Sequence, residues 1–482
     1  MLNLQAGPDP RQRTPMLFDT PIYILFLCIV VAAYWRLGFR SQNRFLLAAS
    51  YLFYGWWDWR FLLLMIGSTV IDYFIAIRIA EAEDPKVRKS LLALSLVINF
   101  SILGFFKYFN FFADSLGHVL AGVGIKASLP VLLIILPPGI SFYTFQEVAY
   151  IVDVYSGKLP ASRNFLDYGL FISLFPHLIA GPIQRPAHLL PQVQKPRHWD
   201  SAKAFDGLLL IMEGLFRKCV IADNCALIAN AAFGGAFGKP SLIVTLLGMY
   251  AFAWQIYGDF SGYSDIARGS AQLLGFHFMV NFRQPYFADS IQDFWRRWHV
   301  SLSTWLRDYL YIPLGGNRKG EANTYRNLLL TMLLGGLWHG ANWTFVIWGG
   351  QHGASLAVER KLTRGKEIIS GKARKVLKQI LIFHLVCVSW VFFRAQSLRA
   401  AWEMLQGLGR WSWRPEFPAA FLFLAVFSIP LLMLDIYLER SGAEYCFEYT
   451  PVRRRVAFGL ACAVIIALMG ANQANAFIYF QF

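Results

Sequence analysis

Apolar runs recur along almost the whole chain, separated by short polar connections. A bilayer core of ~30 Å is crossed by about 20 apolar residues in a helix. By that measure the candidate spans are 20–36, 44–57, 60–80, 91–107, 128–146, 168–184, 205–230, 241–258, 327–349, 376–394, 418–438 and 455–473. Segments 47–57, 108–123 and 264–280 fit less cleanly. The pattern predicts an all-α polytopic membrane protein with about 10–12 transmembrane helices, some of them re-entrant or broken. There is no internal repeat of fixed period, so residues 16–482 read as a single transmembrane domain.

Residues 1–15 form a polar leader without the apolar core of a secretory signal. With no apolar face to offset an ordering cost of ~1–2 kcal/mol per residue, the leader is expected to be dispensable and Met16 to serve as a start. The competing reading makes Arg11 and Arg13 a cytoplasmic anchor for the first helix.

Composition supports the membrane assignment. Charged residues are 15% of the chain and hydrophobic ones 56%, too little charge to cover a soluble protein of this size. The net charge of +16 would point to nucleic acid in a soluble chain. Here the basic residues cluster between apolar runs, the signature of cytoplasmic loops, and nucleic acid is excluded as a partner. The six cysteines are scattered with no metal-binding spacing, and read as small buried apolar residues.

Two connections are strongly basic. Segment 281–326 holds Arg283, Arg296, Arg297, Arg307, Arg318, Lys319 and Arg326, and segment 359–377 is richer still. Both are expected in the cytoplasm. Residues 327–358 between them are too few for two full crossings, which need about 40. The glycine pairs Gly335-Gly336 and Gly349-Gly350 are expected to break this stretch, so either one basic loop is misassigned or 327–358 dips into the membrane and returns. Trp338-His339-Gly340-Ala341-Asn342 then lies deep.

An ionisable group at that depth normally faces a bundle interior or a wet cavity. A neutral imidazole at His339 can accept a proton from an attacking hydroxyl. In helical geometry Asn342 would share its face. The alternative is a structural histidine beside a Gly336/Gly340 packing face. His299, in DFWRRWH, reads either as a second functional histidine or as an interfacial one beside snorkelling arginines. His177 is expected to line a broken helix, and His352 to end the re-entrant segment. Asp259 and Asp265 could relay protons, although Asp265 or Ser264 as a helix N-cap is more ordinary. The turn Gly315-Gly316-Asn317-Arg318-Lys319-Gly320 is a weak phosphate loop, and no nucleotide, zinc-protease or serine-hydrolase motif is present.

The runs FWRRWHVSLSTWLRDYLYIPLGGNRKG (294–320) and LLGGLWHGANWTFVIWGGQHG (333–353) together resemble the membrane-bound O-acyltransferase (MBOAT) family, in its bacterial polysaccharide-acetylating branch. ASYLFYGWWDWRFL (49–62), GISFYTFQEVAYIVDVYSG (139–157), LFPHLIAGPIQR (174–185) and DFSGYSDIARG (259–269) extend the similarity over nearly the whole chain from Met16. One departure is Leu136-Pro137-Pro138-Gly139, where relatives carry a single proline. The resemblance implies a helical ring around a thin centre, with His339 the essential histidine and His299 the second. It implies an O-acetyltransferase of the bacterial inner membrane. No tightly bound cofactor or metal is expected. The donor would be cytoplasmic acetyl-CoA, and the acceptor an exopolysaccharide such as alginate, reached through periplasmic acetyltransferase partners. Asn342, Trp338 and Asp308 are supporting candidates, and Arg296, Arg297, Arg318 and Lys319 the expected donor contacts. Cellulose or peptidoglycan acetylation is the alternative within this chemistry, and a proton-coupled transporter or flippase the alternative outside it.

Overall fold

The computed structural model describes residues 16–125, 130–179, 181–363, 371–471 and 478. The leader 1–15 and basic residues Arg364 and Lys366 lie outside them. Among the described residues the chain is helical with no strand. Four helices among the described residues are long and apolar enough to cross a membrane: Trp59–Glu81, Pro85–Gly122, Lys372–Arg394 and Phe417–Ser441. Most other predicted spans are present as helices that are shorter, broken or interrupted by polar residues.

The contacts divide the chain into two compact units. The first is built from described residues within 1–106, 134–208 and 267–278. Its helices start where the sequence supplies caps: Asp58 accepts the Arg60 amide and Asp84 the Lys86 amide. Two carboxylates are fully buried in it. Asp72 accepts from Ser95 Oγ (2.5 Å) and Asn99 Nδ2 (2.7 Å), and Glu147 from Thr69 Oγ1 (2.9 Å) and Ser68 Oγ (3.1 Å).

Two predicted spans are corrected in this unit. Residues 128–146 do not form one helix: 130–136 run without helical structure, and the helix is Ile140–Tyr155. Pro137 and Pro138 disfavour helix before them, and Gly139 takes φ 70° with its Cα so close to Leu178 that a Cβ would lie 2.4 Å from that carbonyl oxygen. Span 168–184 is broken at Leu174 into Phe165–Ser173 and Phe175–Leu178. His177 is buried at this break, as expected, with Nε2 3.1 Å from Gln146 Oε1.

The second unit comprises described residues of 107–133, 209–266 and 279–482. The helix Leu242–Leu273 runs unbroken through Asp259 and Asp265, so neither Asp265 nor Ser264 is an N-cap. The carboxylates instead meet two buried cations that sequence reasoning passed over. Lys218 pairs with Asp223 (2.7 Å) and Asp259 (2.9 Å), and Arg217 with Glu213 (2.6 Å) and Asp265 (3.5 Å). Buried charges persist only when paired in this way.

Residues 321–363 form a hairpin of two antiparallel helices, Glu321–His339 and Trp343–Thr363. The glycine pairs do not break it. The chain turns at Gly340-Ala341-Asn342, while Gly336 and Gly349 face each other across the seam. A Cβ at Gly349 would lie 2.2 Å from the Met332 carbonyl oxygen, and one at Gly336 2.2 Å from that of Phe345. Glycine serves here for close backbone approach. The helices extend beyond 327–358 at both ends, and the basic residues at their far ends lie at the same end of the hairpin.

Candidate active site

His339 is the final residue of its helix, because Gly340 is extended (φ −162°, ψ 149°). It is buried among rings: Trp348 at 5.0 Å between centroids, Trp338 at 5.1 Å, Phe393 at 5.4 Å and His299 at 6.3 Å. Trp348 stacks at 5.9 Å on Trp390, and Phe393 closes on Phe345 at 4.8 Å. An aromatic wall of this kind excludes bulk water, which strengthens every polar interaction inside it.

His299 is fully buried and is not an interfacial histidine. Its backbone is left-handed (φ 44°, ψ 53°) at the start of the helix Val300–Leu306. A non-glycine residue held there is strained, and such strain persists only where neighbours enforce it. Asn281 is the enforcing residue. Its carbonyl accepts the Val300 amide (2.9 Å), and its Oδ1 accepts from Ser301 N (3.2 Å) and Oγ (2.9 Å). Asn281 Nδ2 in turn donates to Ser264 on the long helix (3.1 Å). Phe260 packs edge-on against the imidazole at 4.6 Å. The strained turn thus holds the second ring beside the first, 40 residues apart in sequence.

Toward the open end of the hairpin lies a cavity of about 470 Å³. Its lining includes Arg296, Arg307, Arg360, Tyr311, Thr304 and Met332. Trp295 belongs both to this lining and to the ring cluster, 5.7 Å from Trp348 and 5.1 Å from His352. Met332 is two helical turns, ~10 Å, before His339 on the same helix. Glu359 joins the walls by accepting the amides of Ile291 (2.6 Å) and Gln292 (3.4 Å), capping the helix Ile291–Arg297. Arg307 bonds Asp308 at 2.7 Å, and this carboxylate holds the guanidinium above its ordinary pKa.

The structure brings together His339, His299 and Trp338, but redistributes the other candidates. Asn342 is not on the face of His339, because the helix has ended. Its Oδ1 accepts the Thr344 amide (2.9 Å), at the start of the return helix. Asp308 sits with Arg307. Arg296 lines the cavity, whereas Arg297 is held by Asp293 (2.8 Å) and Glu439 (2.6 Å). Arg318 and Lys319 are exposed in the turn and are not among the lining residues. Sequence reasoning counted Arg307 and Arg360 only as loop charges and not as cavity residues, and it misplaced His352. That histidine lies within the return helix, buried, with Nε2 3.0 Å from Ser389 Oγ. The i, i+4 spacing of Trp348 and His352 was the available signal.

The sequence profile of the membrane-bound O-acyltransferase family matches residues 158–402, which contain both histidines. The chain is 46% identical to a probable alginate O-acetylase of Pseudomonas aeruginosa, over 82% of this chain and 76% of that protein. It is 41% identical to a probable alginate O-acetylase of Pseudomonas putida, over 97% of this chain and all (100%) of that protein. It is also 38% identical to a peptidoglycan O-acetyltransferase of Helicobacter pylori, over 82% and 80% of the two chains. The chain is a multi-pass membrane acyltransferase and belongs to the membrane-bound O-acyltransferase family.

Proposed function

We propose that this acyltransferase moves acetyl groups from a cytoplasmic thioester donor, acetyl-CoA, across the bacterial inner membrane for O-acetylation of an exopolysaccharide, with alginate the first choice. The observation that carries this reading is the pairing of two buried imidazoles, 6.3 Å apart, behind an arginine-lined cavity. The names of the relatives supply the acetyl group and the polymer. Periplasmic acetyltransferase partners would carry the group onward to the polysaccharide.

In this reading His339 accepts the proton of the attacking hydroxyl as its oxygen bonds to the thioester carbonyl carbon. The tetrahedral adduct then expels the thiolate, which takes that proton from the imidazolium, leaving an ester and a free thiol. His299 orients the acceptor, since one oxygen held between the rings reaches both. The donor's phosphates lie against Arg296 and Arg360, with Arg307 beside them. Arg297 is excluded from that role by its two carboxylates, and Arg318 and Lys319 act at most as a distant field.

The double variant Arg296→Ala/Arg360→Ala is expected to raise the acetyl-CoA KM about 100-fold or more while kcat stays within about twofold. A charge-assisted hydrogen bond contributes ~1.5–3 kcal/mol, and ~1.4 kcal/mol is a factor of ten. Initial rates of coenzyme A release from membrane vesicles test this, and an unchanged KM argues against the cavity as the donor site.

Both basic ends of the hairpin should face the cytoplasm. Arg318→Cys and Lys361→Cys, in a background lacking the native cysteines, should react with an impermeant maleimide only in inverted vesicles. Labelling of either in intact spheroplasts contradicts the assigned orientation.

Peptidoglycan is the second reading, favoured by the similarity to the Helicobacter protein. Ester analysis of both polymers in a deletion strain distinguishes the two.

A further inference from the structure

The helix that ends at His339 does so without an ordinary cap. Gly340 is extended rather than left-handed, and the Asn342 amide turns to the Gly340 carbonyl, so the following backbone does not close the usual capping bonds. The last carbonyls are met from elsewhere in the unit. Lys107 Nζ donates to the carbonyl of Trp338 at 2.5 Å and approaches that of His339 at 3.5 Å, while Tyr108 Oη donates to that of Leu337 at 3.0 Å. The ammonium also lies 5.6 Å from the centre of the Trp338 ring, which is itself packed against His339.

Lys107 and Tyr108 close a single π-helical turn, Gly104–Tyr108, a form frequent at functional sites. That turn falls inside the apolar helical run Pro85–Gly122, where a lysine is expected only with a purpose. A cation at a helix C-terminus meets both the unpaired carbonyls and the negative end of the helix dipole.

We propose that Lys107 is a positioning residue for acyl transfer: its ammonium substitutes for the missing cap and fixes the helix end from which the His339 imidazole projects. This rests on the reading of His339 as the base. Without the cap, the last turn frays and the ring leaves its place beside His299 and Trp348. Displacement of a reacting group by ~1 Å costs up to ~10²-fold in rate.

The test is acetyl ester content in a deletion strain complemented with full-length Lys107→Met, Lys107→Arg, Tyr108→Phe or His339→Ala, at matched membrane levels and with thermal unfolding midpoints measured. Lys107→Met is expected to lose about 10–100-fold in acetylation rate with an unchanged midpoint. Lys107→Arg, which keeps both charge and donors, should restore most of it. Tyr108→Phe removes one carbonyl bond, keeps the cation and should retain at least about half, so the cap can be read even if Lys107→Met accumulates poorly. Wild-type acetylation in Lys107→Met beside a dead His339→Ala overturns the positioning role and leaves the base intact. A loss that only follows a fallen midpoint, or one that Lys107→Arg does not rescue, also overturns it. Normal acetylation in His339→Ala overturns both assignments.

Discussion

His339→Ala is expected to abolish polymer acetylation, a loss of ~10²–10⁴-fold or more in rate, while the chain still inserts and accumulates. The residue ends its helix, and its substitution leaves the backbone bonds of that end in place. The neighbouring rings, Trp348 and Phe393, are held by their own contacts with Trp390. What disappears is the proposed proton acceptor, in an aromatic wall that leaves no bulk water to replace it. Ester content of the secreted polymer, beside an immunoblot of the membrane fraction, measures both halves of the expectation. Near-wild-type ester content would remove His339 from the chemistry.

Gly349→Ala should be almost as damaging, by a mechanical route. Its Cβ would stand 2.2 Å from the Met332 carbonyl oxygen and 3.2 Å from the Gly336 Cα, both backbone atoms that no rotamer change can move. The two helices must separate, costing about 1–3 kcal/mol in packing and shifting His339 relative to Trp348. A displacement of ~1 Å is enough for a ~10²-fold loss of rate. Gly350→Ala is the internal control, since its Cβ meets only Leu333 Cδ2 at 3.3 Å, the far end of a flexible side chain. A lower unfolding midpoint and lost acetylation in Gly349→Ala, with neither in Gly350→Ala, is the expected pair of results. Equal behaviour of the two variants contradicts the seam.

Much of this arrangement was legible in the chain, for identifiable reasons. The pairing of two basic segments at one end of a hairpin followed from charge, and the burial of His339 from the apolar residues around it. The glycine pairs were misread because a glycine that permits close approach looks, in sequence, the same as one that breaks a helix. Only the facing backbone distinguishes Gly336 and Gly349 from breaks. Asp259 and Asp265 were misread for a similar reason: Lys218 and Arg217, which neutralise them, lie more than forty residues earlier. The meeting of His299 with His339 depends on the left-handed turn at His299 and on Asn281, and no periodicity records that. The resemblance of the two histidine motifs to the family supplied it instead. The donor contacts were chosen by charge alone, and charge does not reveal that Arg297 is already paired. Lys107 escaped notice because one lysine in an aromatic run reads as a helix end until the carbonyls it meets are known.

Inverted membrane vesicles offered acetyl-CoA labelled in the acetyl group on their outer, formerly cytoplasmic, face test the central claim most directly. Wild-type vesicles containing the periplasmic partners and acceptor polymer should accumulate labelled ester in their lumen, and vesicles with His339→Ala should not. Luminal ester formed at the wild-type rate by His339→Ala, or label transferred only when acetyl-CoA is supplied inside the lumen, would contradict transfer through this site.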